Sequence, residues 1–207
     1  MAIDDLLDEH EQGERVRAWL RSNLPGIIGG LALGIGAIYG VQKWQEHRHG
    51  QQQAAHEAYA DAVQRLEAGE DNAGAALAGQ EGVYATLGAL RVAKAQVEAG
   101  KAEDAIATLR GIKAEPAMQP VVDQRLAQLL VATGKPQDAI ALLQGQDDST
   151  ALELLGDAYL AEGSQEQARE RYDSALAALD VAAPARRRVE LKLQEAGGDV
   201  PAPAGAI

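Results

Sequence analysis

Residues 24–41 read LPGIIGGLALGIGAIYGV, and they lie within a run from Ser22 to Gln42 that contains no charged residue. At about 1.5 Å per residue, an 18-residue helix is roughly 27 Å long, close to the thickness of the hydrocarbon core of a bilayer. The stretch holds eight leucine, isoleucine and valine residues and six glycines. Because glycine weakens the apolar signal, hydropathy alone does not decide the matter, and the flanking residues are needed.

The residues on either side of this stretch are typical of a membrane-spanning helix. Arg21 and Lys43 bracket it, and the only two tryptophans, Trp19 and Trp44, are 25 positions apart. Along a helix that separation is about 37 Å, which places both indole rings near the headgroup level that amphipathic rings prefer. We therefore predict a transmembrane helix over residues 24–42, with Trp19 and Trp44 as its interface anchors.

Two other interpretations of the stretch are weaker. A buried helix of a soluble domain would not need tryptophans and cations at both ends. The apolar core of a cleaved signal peptide is usually about 7–15 residues long and precedes a small-x-small cleavage site. Here YGVQKW follows at residues 39–44 instead. We therefore expect an uncleaved anchor near the N-terminus, with the functional part of the chain after it.

Glycines recur in the predicted span at intervals of four residues. Small residues on one face of a transmembrane helix allow a second helix to approach closely. With six glycines in 18 positions, chance supplies some of these intervals, so the pattern is compatible with a helix contact without being specific for one. The candidate contact residues, facing a second copy of the chain in a homodimer or another membrane protein, are Gly26, Gly30, Gly34, Gly36 and Gly40.

The composition of the remaining chain favours one helical domain. It is rich in alanine, leucine and glutamine, and the protein contains no phenylalanine. From Lys43 onward there are 16 basic and 25 acidic residues, a net charge of −9 that repels nucleic acid. With no cysteine, the chain offers no disulfide, thiolate metal site or cysteine nucleophile.

An internal repeat occupies the C-terminal part. The segments VEAGKAEDA (97–105), VATGKPQDA (131–139) and LAEGSQEQA (160–168) share one pattern, and their glycines are 34 and then 29 residues apart. Each segment has the end of a helix, a glycine turn and the start of a second helix, with acids near that start. Since helices this short are marginal alone, stacking must supply their stability. An irregular helical domain with a coincidental repeat is the alternative.

The third unit has the residue pattern of a tetratricopeptide repeat. Small residues let the two helices of a pair approach each other, and larger ones fill the gap to the next pair. The predicted core positions are Leu155, Gly156, Tyr159, Ala168, Tyr172 and Ala175, with Ala105 and Ala139 as the matching small residues of the earlier units. We predict an all-α fold: a single N-terminal transmembrane helix followed by a tetratricopeptide-like solenoid of about three helix pairs and a final helix near residues 184–195.

These features divide the chain into five predicted segments. Three arginines before the span, against Lys43 and Arg48 after it, favour a cytoplasmic N-terminus. Pro25 is expected to interrupt the helix ahead of the span. The segments are a short cytoplasmic stretch (1–23), the transmembrane helix (24–42), a stalk helix (43–68), the repeat domain (69–196) and a disordered tail (197–207).

No pattern in the sequence indicates catalysis or a cofactor. The stalk histidines His47, His49 and His56 lack the i, i+4 spacing with which two histidines on one helix hold a metal. The basic cluster at 186–188 is interpreted as a solvated face rather than a docking patch. We expect no enzyme, no metal and no cofactor, but a tethered scaffold that holds another protein.

The order of these parts resembles the YfgM family of membrane-anchored helical-repeat proteins, which are ancillary subunits of the bacterial Sec translocon. The resemblance is carried by RAWLRSN (17–23), the glycine-rich span with Trp44 after it, QQQAA (51–55) with Tyr59, and YATLGAL (84–90). It covers nearly the whole chain up to about residue 195. Departures are Leu24-Pro25, where a glycine and a lysine are expected, and His56, where a small residue is expected.

The resemblance implies a location and partners. It implies a bacterial inner-membrane protein with a single span, a cytoplasmic N-terminus and a periplasmic C-terminal domain beside the translocon. It also implies cooperation with a membrane-anchored periplasmic chaperone, PpiD, in handling newly translocated proteins. Two alternatives stay open: a regulator that binds a response regulator, and an envelope-assembly scaffold with a different partner.

Overall fold

The computed structural model describes residues 2–70 and 72–199 of the chain, with side chains described from residue 13 onward. Within these residues there are helices and no strand. The helices are α1 (Ala2–Glu67), α2 (Ala73–Ala78), α3 (Gly82–Glu98), α4 (Ala102–Gly111), α5 (Gln119–Ala132), α6 (Pro136–Leu143), α7 (Ser149–Glu162), α8 (Gln165–Ala178) and α9 (Arg186–Glu195). The all-α prediction is confirmed. The tail predicted to be disordered falls mainly on residues 200–207, outside the described residues.

The chain divides between Ala54 and Ala55 into two units. The first unit consists of the N-terminal part of α1. This helix continues through Pro25, so the predicted interruption there is wrong. Proline removes only the hydrogen bond that its missing N–H would make to the carbonyl of Arg21, and the helix tolerates this single loss.

The second unit is a stack of helix pairs. Helix α3 packs against α4, α5 against α6 and α7 against α8, while α5 also packs against α7, and α9 covers α8. Its core is one cluster of buried apolar residues that extends from Ala93 in α3 to Ala196 after α9. Helix α7 lies at the centre of this core and buries residues on every side.

The first helix of each pair ends at a glycine turn. Gly100, Gly134 and Gly163 have φ angles of +74°, +75° and +92°, a region that favours glycine. At each turn the glycine N–H bonds to the carbonyl three residues back, and the next N–H bonds to the carbonyl five residues back. This is the Schellman motif, which satisfies the last carbonyls of a helix and stops it.

Local residues also fix where the second helices begin. Glu103 and Asp104 lie in the first turn of α4, Asp138 in that of α6 and Glu166 in that of α8, as the repeat pattern predicts. These acids have a further role between units. Glu103 accepts hydrogen bonds from Lys135 at 2.6 Å, and Asp138 accepts one from Arg110 at 2.7 Å. The acids at the start of these second helices therefore also connect neighbouring helix pairs.

Candidate functional site

The apolar side chains of residues 24–41 on α1 are exposed. The helix is long and apolar enough to cross a membrane, and none of its most apolar 18-residue window is buried. Leu31, Leu33 and Ile35 are 64%, 77% and 60% exposed. A buried core helix of a soluble domain would bury such residues, so that alternative is excluded for this unit.

The two predicted interface anchors are exposed side chains on this same helix. Trp19 is 61% exposed and Trp44 is 58% exposed. The guanidinium of Arg48 lies 4.8 Å from the ring centroid of Trp44, a cation–π contact between residues one helical turn apart. The carbonyl of Trp19 accepts hydrogen bonds from the side chains of Ser22 and Asn23.

The glycines of the span face open space. Apart from the neighbouring backbone of α1 itself, no heavy atom of the described residues comes within 4 Å of a β-carbon built on any of the five predicted contact residues, Gly26, Gly30, Gly34, Gly36 and Gly40. These positions are therefore free to accept a helix from outside the chain. A contact with a second copy or another membrane protein stays a prediction.

In the second unit α5, α7 and α9 together form a groove of about 570 Å³. We call it the α5–α7–α9 groove. Its floor is partly apolar, and charged side chains stand on both sides of it. It is lined by Arg125, Gln128, Val131 and Ala132 of α5, by Thr150, Glu153, Leu154 and Asp157 of α7, and by Arg188 and Lys192 of α9.

A network of ion pairs forms one wall of this groove. Arg188 donates two hydrogen bonds of 2.7 Å to the two oxygens of Glu153. Lys192 bridges Glu153 at 2.7 Å and Asp157 at 2.6 Å. The hydroxyl of Tyr172 donates to Asp157 at 2.8 Å and so joins the wall to the core.

The network holds a nearly buried carboxylate in its charged form. The side chain of Glu153 is only 6% exposed. Burial alone would raise its pKa, but the hydrogen bonds and charges of Arg188 and Lys192 outweigh burial and hold the pKa below the ordinary value. The bond to Glu153 in turn raises the pKa of Arg188. Burial, followed by the charge of Asp157, raises the pKa of the Tyr172 hydroxyl.

These geometries suit binding. Every acid of the groove is neutralised by a cation, and Arg125 donates to the neutral amide of Gln128. The groove therefore offers an apolar strip flanked by cations and satisfied acids, which fits a polypeptide segment. No cluster of three or more histidine, aspartate and glutamate residues able to hold a metal occurs in the described part of the chain.

The predicted core residues of the repeats lie at the helix contacts. Ala105, Ala139, Ala168, Tyr172 and Ala175 have no exposed surface, and Leu155 is buried. Gly156 lies against the ring of Tyr172. Tyr159 differs, because it is only half-buried and lines a surface cleft.

The basic cluster at 186–188 does not form the single solvated face that the sequence suggested. Arg187 and Arg188 are 72% and 59% exposed, whereas Arg186 is only 18% exposed. Arg186 donates to the carbonyls of Leu176 and Leu179 at the end of α8, and Arg188 binds Glu153. The cluster therefore attaches α9 to α7 and α8, which is a structural role.

The stalk histidines do not come together. His47 lies 3.1 Å from the side-chain amide of Gln51. His56 lies against Tyr84 of α3, with a ring-nitrogen to hydroxyl distance of 3.4 Å, and Tyr59 packs on the same tyrosine ring. The aromatic contacts attach the end of α1 to α3.

Sequence reasoning missed the ion-pair network. Glu153 and Arg188 are 35 positions apart, and no local spacing connects them. One signal in the sequence could have found it. Glu153 is the single charged residue within ALELLG (151–156), so a helix that buries this segment also buries the acid. A buried carboxylate needs cations as partners. Also missed was α2, whose Leu77 is fully buried against Gly88 of α3.

Comparison with known proteins agrees with this architecture. Residues 17–198 match the model of the family described as tetratricopeptide repeat-like domain, so the predicted fold class is confirmed. The chain is also similar to the protein named ancillary SecYEG translocon subunit of Escherichia coli strain K12. The two share 26% identity over 178 residues, which cover 81% of this chain and 86% of that protein.

Proposed function

We propose that the chain, which belongs to the tetratricopeptide repeat-like domain family, is a non-catalytic scaffold. In this proposal it is tethered to a membrane and ancillary to the Sec translocon. The proposed localisation is the bacterial inner membrane, with a cytoplasmic N-terminus and a periplasmic repeat domain. The proposed partners are translocon subunits and a membrane-anchored periplasmic chaperone of the PpiD type. The name of the similar protein supports the translocon as a partner, and the chaperone is proposed from the resemblance to the YfgM family.

One observation carries the proposal: a single chain joins a wholly unburied apolar helix to a repeat unit with an open groove. Exposed leucines and isoleucines in such number are unfavourable in water and favourable in a bilayer. A repeat unit offers long concave surfaces for proteins, and its groove here has paired charges around an apolar floor. Together these features support a protein whose function is to hold a partner protein at the membrane.

Site-specific photocrosslinking in native membranes tests the partners. A photoreactive amino acid is placed at Gln128 or Thr150 in the groove, and at Gly30 or Gly34 in the span. We expect adducts with translocon or chaperone subunits from both sets, and none from the exposed control position Glu170 on α8. Self-adducts from the span would assign the glycines to a second copy. Lipid and self-adducts alone, with nothing captured from the groove, would contradict the proposal.

The orientation is tested by cysteine labelling, since the chain has no native cysteine. Gly13→Cys and Gln165→Cys place one thiol in each unit at an exposed position. With an impermeant thiol reagent on intact inner membranes, we expect Gln165→Cys to react from the periplasmic side and Gly13→Cys only after permeabilisation. The reverse result would place the repeat unit inside the cell and favour a regulator of cytosolic signalling instead.

A further inference from the structure

A second cleft, of about 260 Å³, opens beside Tyr159. We call it the Tyr159 cleft. Its walls come from α6 and the loop after it, from α7 and from α8. The lining residues that matter here are Ile140, Gln146, Leu152, Leu155, Tyr159 and Arg171.

This cleft is separate from the α5–α7–α9 groove because α7 lies between them. At about 100° per residue, the groove residues Thr150, Glu153 and Asp157 lie on one side of the helix. By the same rotation Leu152, Leu155 and Tyr159 lie on the opposite side. One helix thus supplies a wall to each of two sites.

Two polar atoms at the Tyr159 cleft have no partner in the described structure. They are Oε1 of Gln146 and Nε of Arg171, and both are closed off from solvent. The side-chain nitrogen of Gln146 donates to Asp123 at 3.3 Å, which leaves its oxygen as the spare acceptor. Arg171 forms no hydrogen bond or ion pair with the rest of the described chain, so its guanidinium is a spare donor.

Unsatisfied buried donors and acceptors are costly, and structures rarely keep them without a reason. The two residues are only half-buried, so a change of side-chain rotamer can turn these atoms toward the cleft. A bridging water could satisfy them. A water occupies about 30 Å³ in the liquid, so the cleft would need several waters, and these would also cover its apolar walls.

The chemistry of the cleft selects one kind of ligand. A cleft that offers one acceptor and one donor matches an amide group, whose N–H would bond to Gln146 and whose carbonyl would bond to Arg171. The carboxylate of Asp147, also at the cleft, disfavours an anion. The apolar walls of the cleft favour an apolar side chain next to that amide; they are formed by Ile140, Leu152 and Leu155. A residue within an extended polypeptide supplies both, whereas an asparagine or glutamine side chain would leave the apolar walls uncovered.

We propose that the Tyr159 cleft binds one apolar residue of an extended polypeptide segment, with the backbone amide held between Gln146 and Arg171. The cleft gives the repeat unit a second polypeptide site on the face of α7 away from the groove. Binding at this cleft is independent of the translocon assignment, because it depends on the chemistry of the ligand and not on the identity of a partner.

The test measures binding of a fluorescein-labelled hexapeptide, with one central leucine among glycines and serines, to the full-length protein in detergent by fluorescence anisotropy. We expect Arg171→Met to weaken binding at least tenfold, as expected for loss of a hydrogen bond to a charged donor. Arg187→Met, at a 72% exposed arginine, is the matched control and should bind as the parent does. Methylation of the leucine amide nitrogen in the peptide should weaken binding several-fold.

A second measurement keeps the test independent of folding. The chain has five tyrosines, so ring-labelled tyrosine gives a simple NMR spectrum in which Tyr159→Phe identifies one signal. We expect the peptide to shift the Tyr159 signal and leave that of Tyr84 unchanged. The proposal would be overturned if Arg171→Met kept the parental helicity and bound the peptide as the parent does. It would also be overturned if the Tyr159 signal did not shift at saturating peptide. Either result would indicate that the cleft holds water and not a polypeptide.

Discussion

A β-carbon on Gly156 of α7 would clash with the ring of Tyr172 on α8, because it would lie closer to that ring than real β-carbon contacts come. The tyrosine ring occupies the space that any larger residue at 156 would need, and the ring itself is fully buried. Its hydroxyl reaches Asp157 in the groove wall. The packing of the third helix pair and the charge network of the groove therefore depend on the same tyrosine.

The first prediction follows from this contact. Gly156→Ala should lower the free energy of unfolding by about 1–3 kcal/mol, because the buried ring cannot move aside without disturbing its neighbours. The measurement is urea unfolding of the detergent-solubilised protein followed by circular dichroism. Gly111→Ala is the matched control, since a β-carbon at this helical glycine meets nothing within 4 Å. Equal stability of both variants would show that Tyr172 relaxes freely.

The second prediction concerns the turn between α5 and α6. At Gly134 a β-carbon meets no atom within 4 Å, but φ is +75°. Gly134→Ala should therefore lose about 1–2 kcal/mol from backbone strain alone. Gly134→Asn should lose less, because asparagine adopts the left-handed region more readily. Unfolding midpoints in urea check this order; an alanine variant as stable as the parent would contradict it.

The third prediction concerns the groove wall. Glu153→Ala should lower the free energy of unfolding by about 2 kcal/mol, because it removes a nearly buried carboxylate that holds Arg188 and Lys192. The value is below that of a fully buried pair, since Arg188 is 59% exposed and water screens it. Glu170→Ala, at an exposed acid on α8, should change stability by less than about 0.5 kcal/mol. If Glu153→Ala lost no more free energy of unfolding than the control, the network would have no role in stability.

The fourth prediction is a dependence on pH. The pKa of Glu153 is held below the ordinary value of 4.5 by Arg188 and Lys192 acting against burial. Its contribution to stability is therefore fully present above that ordinary value and is lost as the pH falls through the lower pKa of the folded state. The stability difference between the parent and Glu153→Gln should be constant near neutral pH and shrink in acid. A difference that grows in acid would contradict the sign of the pKa shift.

The sequence predicts those features that depend on neighbouring residues. The turn glycines are predictable because a left-handed φ is a local demand that glycine alone meets without strain. Ala105 and Ala139 are predictable because the repeat itself marks them as contact positions. The apolar stretch is recognisable from composition and its tryptophan flanks.

The remaining features depend on contacts between residues far apart in the chain. The pairing of Glu153 with Arg188 joins α7 to α9, and only the completed stack brings them together. The docking of Leu77 on Gly88 is hidden because α2 is too short to show a helical period. At Pro25 the general preference of proline for a helix start gave the wrong answer, because a single missing hydrogen bond does not end a long helix.

The central claim is that the unburied apolar helix tethers the repeat unit to a membrane. The direct measurement is fractionation: cells producing the full-length protein are lysed without detergent, and the membranes are washed with alkaline carbonate. We predict that the protein stays with the membrane pellet, and that a variant with Leu33→Arg and Ile35→Arg is released in part to the supernatant. Recovery of the unaltered full-length protein in the aqueous fraction would contradict the account.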